Sequence, residues 1–271
     1  MKDRLDRILA ARGLVENRTQ AQALILAGKV YSGTRRLDKA GLAVDPDMAL
    51  EVRGRAHPWV SRGGLKLAHG LDAFAIPVRD RTCVDIGAST GGFTDVLLAN
   101  GAACVWAVDV GRGQLAWKLR NDARVRVLER TNARYLTAAE VPDPVDLVVC
   151  DASFIRLSTV LPAPLALTRP GAHLVALVKP QFEAGRARVG KGGVVRDPEV
   201  RREVCEAVRA WLEGLDGWSV LGLEESPVRG PEGNVEYLIA AVRAWPGPRR
   251  PPPGYILPSG RRRRVFEREH A

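Results

Sequence analysis

The sequence predicts an α/β protein: a doubly wound, Rossmann-like sheet with an antiparallel last strand, preceded by a small α+β module. Three observations carry that prediction. From residue 81 onward, short apolar runs alternate with helical patterns, the signature of parallel strands joined by crossover helices. The run Thr82-Cys83-Val84 leads into Asp85-Ile86-Gly87-Ala88-Ser89-Thr90-Gly91-Gly92-Phe93 and then into Thr94-Asp95-Val96-Leu97-Leu98-Ala99, which reads as strand, glycine turn and helix. The last two strand-like runs, 218–223 and 235–241, have no helix between them and are expected to pair antiparallel at the sheet edge.

In the first stretch Leu5, Ile8 and Leu9 recur at helical spacing, and Gly13 stands where a C-cap residue is expected. Asn17, with Gln20 three positions on, is placed to cap a second helix through Ala21, Leu24 and Ile25 that stops at Gly28. Strand signals follow at 29–31, 42–44 and 49–52, with a Ser32-Gly33 turn and Pro46 in a later one, so a small sheet is expected. Residues 1–58 therefore read as one unit, ending in the linker-like Arg53-Gly54-Arg55-Ala56-His57-Pro58.

The central domain is expected to span residues 59–243. Ser61 is placed to cap a helix from 62 to 74 that carries Lys66. The expected order then runs strand 81–86, helix 92–100, strand 103–109, helix 113–119, strand 124–129, strand 145–150, helix 157–167, strand 172–178 and helix 198–213. The stretch 244–271 is crowded with proline and carries Arg261-Arg262-Arg263-Arg264, which predicts a disordered basic tail. The glycine-rich, basic segment 183–193 reads either as a mobile lid or as a solvated loop.

Gly87, Gly91 and Gly92 let backbone amides approach a ligand with no Cβ in the way, and the helix behind them favours electron-rich groups. Asp109 ends the next apolar run, where a carboxylate can accept hydrogen bonds from both hydroxyls of a ribose. A dinucleotide site reads G-x-G-x-x-G, whereas this turn reads G-x-x-x-G-G. The pattern points to S-adenosylmethionine rather than a nicotinamide cofactor. Asp85, Gly87, Ala88, Ser89, Thr90, Gly91, Gly92, Phe93 and Asp109 are therefore candidate cofactor residues. Asp151 and Lys179 end two further strands on the same edge, and Pro180 fixes where the lysine points.

Composition narrows the function classes. With 271 residues, 46% hydrophobic and 27% charged, the chain can bury a sizeable core. No apolar run of about 18 residues and no charged-then-apolar leader is visible, so a cytoplasmic protein without membrane contact is expected. The four cysteines are far apart and read as buried thiols, with no metal site expected. The net charge of +10 divides unevenly: +4 over residues 1–58, zero over 59–242 and +6 over 243–271. An excess confined to the two ends points to a polyanion held around a neutral core. Among the basic residues near the first helix pair, Arg4, Arg7, Arg18, Lys29, Arg35 and Arg36 are candidate RNA contacts, with Arg12 beside them.

Two resemblances sharpen this reading. The pattern Arg4-Leu5-Asp6, Gly13-Leu14, Arg18, Ala21, Ile25, Gly28-Lys29-Val30 and Ser32-Gly33 resembles the RNA-binding module of ribosomal protein S-four, with Ser32 where many members have asparagine or aspartate. Lys66, Asp151, Lys179 and Glu236, in the contexts Ser61-Arg62-Gly63-Gly64-Leu65-Lys66, Asp151-Ala152-Ser153-Phe154, Lys179-Pro180-Gln181-Phe182-Glu183 and Asn234-Val235-Glu236-Tyr237, resemble the Lys-Asp-Lys-Glu tetrad of FtsJ-like ribose methyltransferases. The whole arrangement is similar to the TlyA family, some members of which carry an older haemolysin label. The resemblance implies a methyltransferase sheet, S-adenosylmethionine as cofactor, and 2'-O-methylation of cytidine in ribosomal RNA, free or in ribosomal subunits. It also implies Asn132 as an adenine contact and Asp151 as a residue serving both cofactor and catalysis.

A ribose hydroxyl is a poor nucleophile, so such an enzyme must align it with the methyl donor and remove a proton. Lys179 is the expected general base, oriented by Asp151, with Lys66 lowering its proton affinity and Glu236 positioning Lys66 or the ribose. Two other classes are weighed: a non-catalytic ribosome-assembly factor, which has no need of the tetrad, and a membrane-lytic protein, which needs an amphipathic or spanning segment. The target nucleotide, the choice of subunit and the oligomeric state are not written in these motifs.

Overall fold

The computed structural model describes residues 2–15, 17–53, 57–230 and 232–245. The expected basic tail from residue 246 onward and the middle of the expected linker lie outside the described residues.

The N-terminal region contains β1 (Asp3–Arg4), α1 (Leu5–Ala11), α2 (Arg18–Leu26), β2 (Val30–Ser32), β3 (Arg35–Arg36), β4 (Ala43–Val44) and β5 (Glu51–Val52). Asn17 caps α2 as expected, its side-chain oxygen accepting from the Gln20 amide at 2.9 Å. Gly13 and Gly28 follow the two helices at φ +63° and +65°, the left-handed region that glycine enters without strain. The helical spacing of Leu5, Ile8, Leu9, Ala21 and Ile25 directs these side chains into one core with Val30, Leu37 and Val44. The single small sheet expected here is instead two: β1 pairs with β4, and β2 lies between β3 and β5. Asp3-Arg4 is too short and polar for a strand signal and pairs because α1 starts immediately after it.

The rest comprises α3 (Gly63–Ala73), β6 (Thr82–Ile86), α4 (Gly92–Ala99), β7 (Cys104–Val108), α5 (Trp117–Arg120), β8 (Val125–Leu128), β9 (Val145–Cys150), α6 (Leu157–Val160), α7 (Pro162–Ala166), β10 (Thr168–Val178), α8 (Pro180–Glu183), α9 (Pro198–Glu213), β11 (Trp218–Glu225) and β12 (Tyr237–Arg243). The seven strands form one sheet in the order β11-β12-β10-β9-β6-β7-β8. Strands β8, β7, β6, β9 and β10 are parallel, while β12 runs antiparallel to both β10 and β11. The last two strands pair as expected, with β12 inside the sheet and β11 at its edge. Period-two alternation sorts each strand between two layers: Leu147 and Val149 pack with Leu67, Val96 and Leu97, while Val148 and Cys150 pack with Leu161, Leu165 and Leu212. The chain order reverses between β6 and β9, so their carboxyl ends open the crevice where such sheets take ligands.

Three local expectations change. Ser61 does not cap α3; the helix starts at Gly63 without a side-chain cap. The helix expected at 113–119 begins only at Trp117, because the Gly111 amide is drawn to Asp109 and the Gly113 amide to Glu129. The helix expected at 157–167 breaks into α6 and α7 at Pro162, which has no amide to continue it. Segment 183–193 includes a short 3-10 turn at Arg186–Arg188; Arg188 pairs with Glu203 at 2.6 Å, and the Gly193 carbonyl accepts from the Asn234 amide at 2.9 Å.

Candidate active site

The glycine turn after β6 lies at the floor of a cavity of ≈ 360 Å³. Gly91 is the residue before α4 and takes φ +94°, and a Cβ at Gly92 would collide with Ser61 Oγ and sit 2.9 Å from the Gly64 amide. The turn therefore packs directly on the start of α3, the helix that carries Lys66. Ala88 and Ser89 separate this cavity from a smaller one that reaches Asp109, Gln114 and Glu129. Asp109 accepts from the Ser89 amide at 2.8 Å and the Gly111 amide at 2.7 Å, one on each carboxylate oxygen.

The four expected catalytic residues come together at the other end of the larger cavity. Asp151 follows β9 and Lys179 follows β10, so parallel neighbours deliver both to the same edge. Glu236 precedes β12; because that strand is reversed, its beginning lies at that edge too. The register pairs Val178 with Tyr237, which sets Glu236 beside Lys179. Two short ion pairs result: Lys66 Nζ to Glu236 Oε2 and Lys179 Nζ to Asp151 Oδ1, both at 2.6 Å. Lys66, Lys179 and Glu236 are buried. Lys179 also donates to the Asp151 carbonyl at 3.1 Å and to Ser153 Oγ at 2.9 Å. These two hydrogen bonds, with the Asp151 carboxylate beside them, fix where the Lys179 Nζ points.

Comparison with known proteins supplies the frame for this geometry. A model of the FtsJ-like methyltransferase matches residues 59–243, and a model of the S4 domain matches residues 3–50. The chain belongs to the FtsJ-like methyltransferase family. It is 53% identical over 237 residues to the 16S/23S rRNA (cytidine-2'-O)-methyltransferase TlyA of Mycobacterium tuberculosis, a match covering 87% of this chain and 88% of that one. A solved structure from Streptococcus thermophilus that carries a hemolysin label is 44% identical with a TM-score of 0.69, covering 90% of this chain and 89% of that one. An S-adenosylmethionine-dependent methyltransferase from Listeria monocytogenes shares the fold at 14% identity and a TM-score of 0.50, covering 68% of this chain and 100% of that one.

The methyltransferase uses S-adenosylmethionine, and the site has room for it. Each Asp109 oxygen accepts one backbone amide and keeps a further lone pair. The cavity lined by Gly87, Ala88, Ser89 and Thr90 then continues towards Lys179. Phe93 also lines this cavity and is buried. Two expected contacts stand elsewhere. Asp85 is fully buried and lines neither cavity: it accepts from Thr94 Oγ1 at 2.7 Å, and burial pushes its carboxyl up to about 7. Asn132 accepts from the Arg134 amide at 3.1 Å and lines neither cavity. Both make local hydrogen bonds within their own segments.

Several lining residues escaped the sequence reading, among them Ser61, Ser153, Gln181 and Arg229. Phe154 is 88% exposed at φ +64° and lies against Phe182, ring centroids 4.8 Å apart. A non-glycine residue in the left-handed region is strained, and this one stands at the rim of the cavity. Gln181 places a buried, unpartnered Oε1 where this cavity meets a second of ≈ 860 Å³ that also holds Arg156 and Arg186. The motifs Asp-Ala-Ser-Phe and Lys-Pro-Gln-Phe-Glu contained most of these residues; what they lacked was any sign that the intervening side chains face inward.

The expected RNA contacts lie on the S4 domain. Arg4 and Arg18 both pair with Asp6, Arg7 pairs with Asp3 at 3.5 Å, and Arg35 and Arg36 form the exposed strand β3. Lys29 lies between α2 and β2. Arg12 instead donates to the Met48 carbonyl, which ties α1 to the loop before β5.

Proposed function

We propose that this methyltransferase transfers a methyl group to the ribose 2'-hydroxyl of a cytidine in ribosomal RNA, with Lys179 as general base. The observation that carries this reading is the meeting of the two lysine–carboxylate pairs in a cavity that also contains the glycine turn. The name of the TlyA relative and the S4 domain support ribosomal RNA as substrate, and cytidine as the nucleoside.

S-adenosylmethionine supplies an electrophilic methyl on a cationic sulfur. The chain's residues do the rest. Lys179, acting as the neutral amine, takes the proton of the 2'-hydroxyl on Nζ as the oxygen–carbon bond forms and the sulfur–carbon bond breaks. Asp151 holds the lysine on line. Glu236 compensates the Lys66 charge at 2.6 Å, so Lys66 stands as half of a neutral pair beside the substrate rather than as a bare cation acting on Lys179. The exposed Phe154 offers a surface for a nucleobase to stack on.

Mass spectrometry of ribosomal RNA nucleosides from cells with and without the gene tests the reading. A 2'-O-methylcytidine present only with the gene is expected; an unchanged nucleoside profile overturns it. Among the described residues no helix is long and apolar enough to cross a membrane.

A further inference from the structure

We propose that Asp6 is a positioning residue for RNA capture: one buried carboxylate gathers Arg4 and Arg18 into a preset pair of phosphate donors on the S4 domain. The inference rests on the ribosomal RNA reading and adds a residue that touches no RNA itself.

Asp6 is the second residue of α1 and has 0% exposure, yet four donors reach it. Arg4 binds in a fork, Nε to Oδ1 at 3.0 Å and a terminal nitrogen to Oδ2 at 3.1 Å. Arg18, from the start of α2, donates to Oδ2 at 3.1 Å, and Gln22, one turn on, donates to the same oxygen at 2.9 Å. Arg4 above all, with Gln22 and Arg18, holds this carboxyl well below the usual carboxylate range. The guanidinium groups are not consumed. Their side chains are 47% and 53% exposed, and of five N–H donors each, Arg4 spends two on Asp6 and Arg18 one.

Two long side chains, one from β1 and one from the start of α2, are thus fixed at one spacing before any RNA arrives. A free arginine loses most of its rotamer freedom when it binds a phosphate, whereas a preset one has already lost it. Asp6 also opposes RNA binding, since its negative charge offsets one of the two cations. The two effects have opposite signs, and that makes the role measurable.

The test is RNA affinity of the full-length Asp6→Asn protein for a ribosomal RNA fragment across a salt series. Asparagine keeps the shape and the acceptor of one oxygen but cannot hold the fork. If charge alone matters, affinity rises and the slope of log affinity against log salt steepens by about 1. Positioning predicts the reverse: affinity falls roughly 10-fold and the slope becomes shallower by up to about 2 as two phosphate contacts are lost. Unchanged S-adenosylmethionine affinity and an unchanged circular dichroism spectrum report the fold.

A second variant separates positioning from stability. In an Arg4→Ala/Arg18→Ala background, Asp6→Asn should alter RNA affinity less than twofold, because nothing is left to position. An equal loss in both backgrounds overturns the proposal in favour of a structural role, as does tighter binding by the single variant. If Arg4→Ala/Arg18→Ala itself binds RNA like the wild type, the arginine pair is not an RNA contact and the proposal fails, while cytidine methylation by the wild type would still stand.

Discussion

Lys66 Nζ lies 2.6 Å from Glu236 Oε2 across 170 positions of sequence, and both groups are buried. A buried pair of this kind is costly to break from one side, because the remaining charge has neither water nor partner. Lys66→Met alone should lower unfolding free energy by about 3–5 kcal/mol, and Lys66→Met with Glu236→Leu should recover much of that loss. Urea midpoints of the two variants decide it; a double variant no more stable than the single one would mean the pair is not held as a unit.

Lys179→Ala should slow methyl transfer by roughly 100 to 10,000-fold, the range for a positioned general base. That corresponds to about 2.7–5.4 kcal/mol of barrier. Cofactor and RNA affinities should stay within a few-fold of wild type. Lys179 is 7% exposed rather than solvated, so some loss of stability is expected as well and the rate must be taken on folded protein. A variant rate within tenfold of wild type at saturating RNA sinks the assignment.

Asp109→Ala should weaken S-adenosylmethionine binding by roughly 1.5–3 kcal/mol, the worth of hydrogen bonds to a charged group. Asp109→Asn should cost less, because an acceptor remains for the Ser89 or Gly111 amide that now holds the turn. RNA affinity should hardly move in either. Calorimetry showing unchanged cofactor affinity in the alanine variant removes Asp109 from the site.

Asp85 makes stability fall as pH rises. Its carboxyl is raised to about 7 in the folded chain, against roughly 3.9 when unfolded, so the folded state holds the proton more tightly between those values. The contribution is complete below about pH 4 and is lost progressively up to about 7, at a limiting slope of roughly 1.4 kcal/mol per unit. Asp85→Asn keeps an acceptor for Thr94 Oγ1 and has nothing to ionise. Unfolding free energies at pH 5 and pH 8 should therefore differ less in the variant; parallel curves for the two proteins would mean that Asp85 is ionised throughout.

The parts of the site legible in the sequence were those where a regular pattern ends. Asp109, Asp151 and Lys179 each follow an apolar run, and in a parallel sheet all such ends share one edge. Asn17 and Gly13 were legible because caps are local chemistry. Pairing was not. No local signal joins Lys66 to Glu236, and the reversal of β12 that brings them together depends on its neighbours in the sheet. Ser61 looked like a cap, because the sequence does not show that Gly92 packs against its hydroxyl. The helix expected at 113–119 lost its first turn to the Asp109 and Glu129 carboxylates, the second of them reaching back from 16 positions away, a competition that propensity does not record.

The reversed strand also sets a schedule for the enzyme's own synthesis. Ribosomes build the chain from its first residue, so the glycine turn, Asp151 and Lys179 can all fold while β12 is still unmade. Glu236 comes only at the threshold of the final strand, which must then slot between β10 and β11. Until it does, Lys66 is a lysine without its carboxylate and the sheet has a gap where a strand belongs. A chain that stops short of Glu236 therefore lacks one member of the tetrad and leaves Lys66 without its partner, so the site is completed only once β12 is in place.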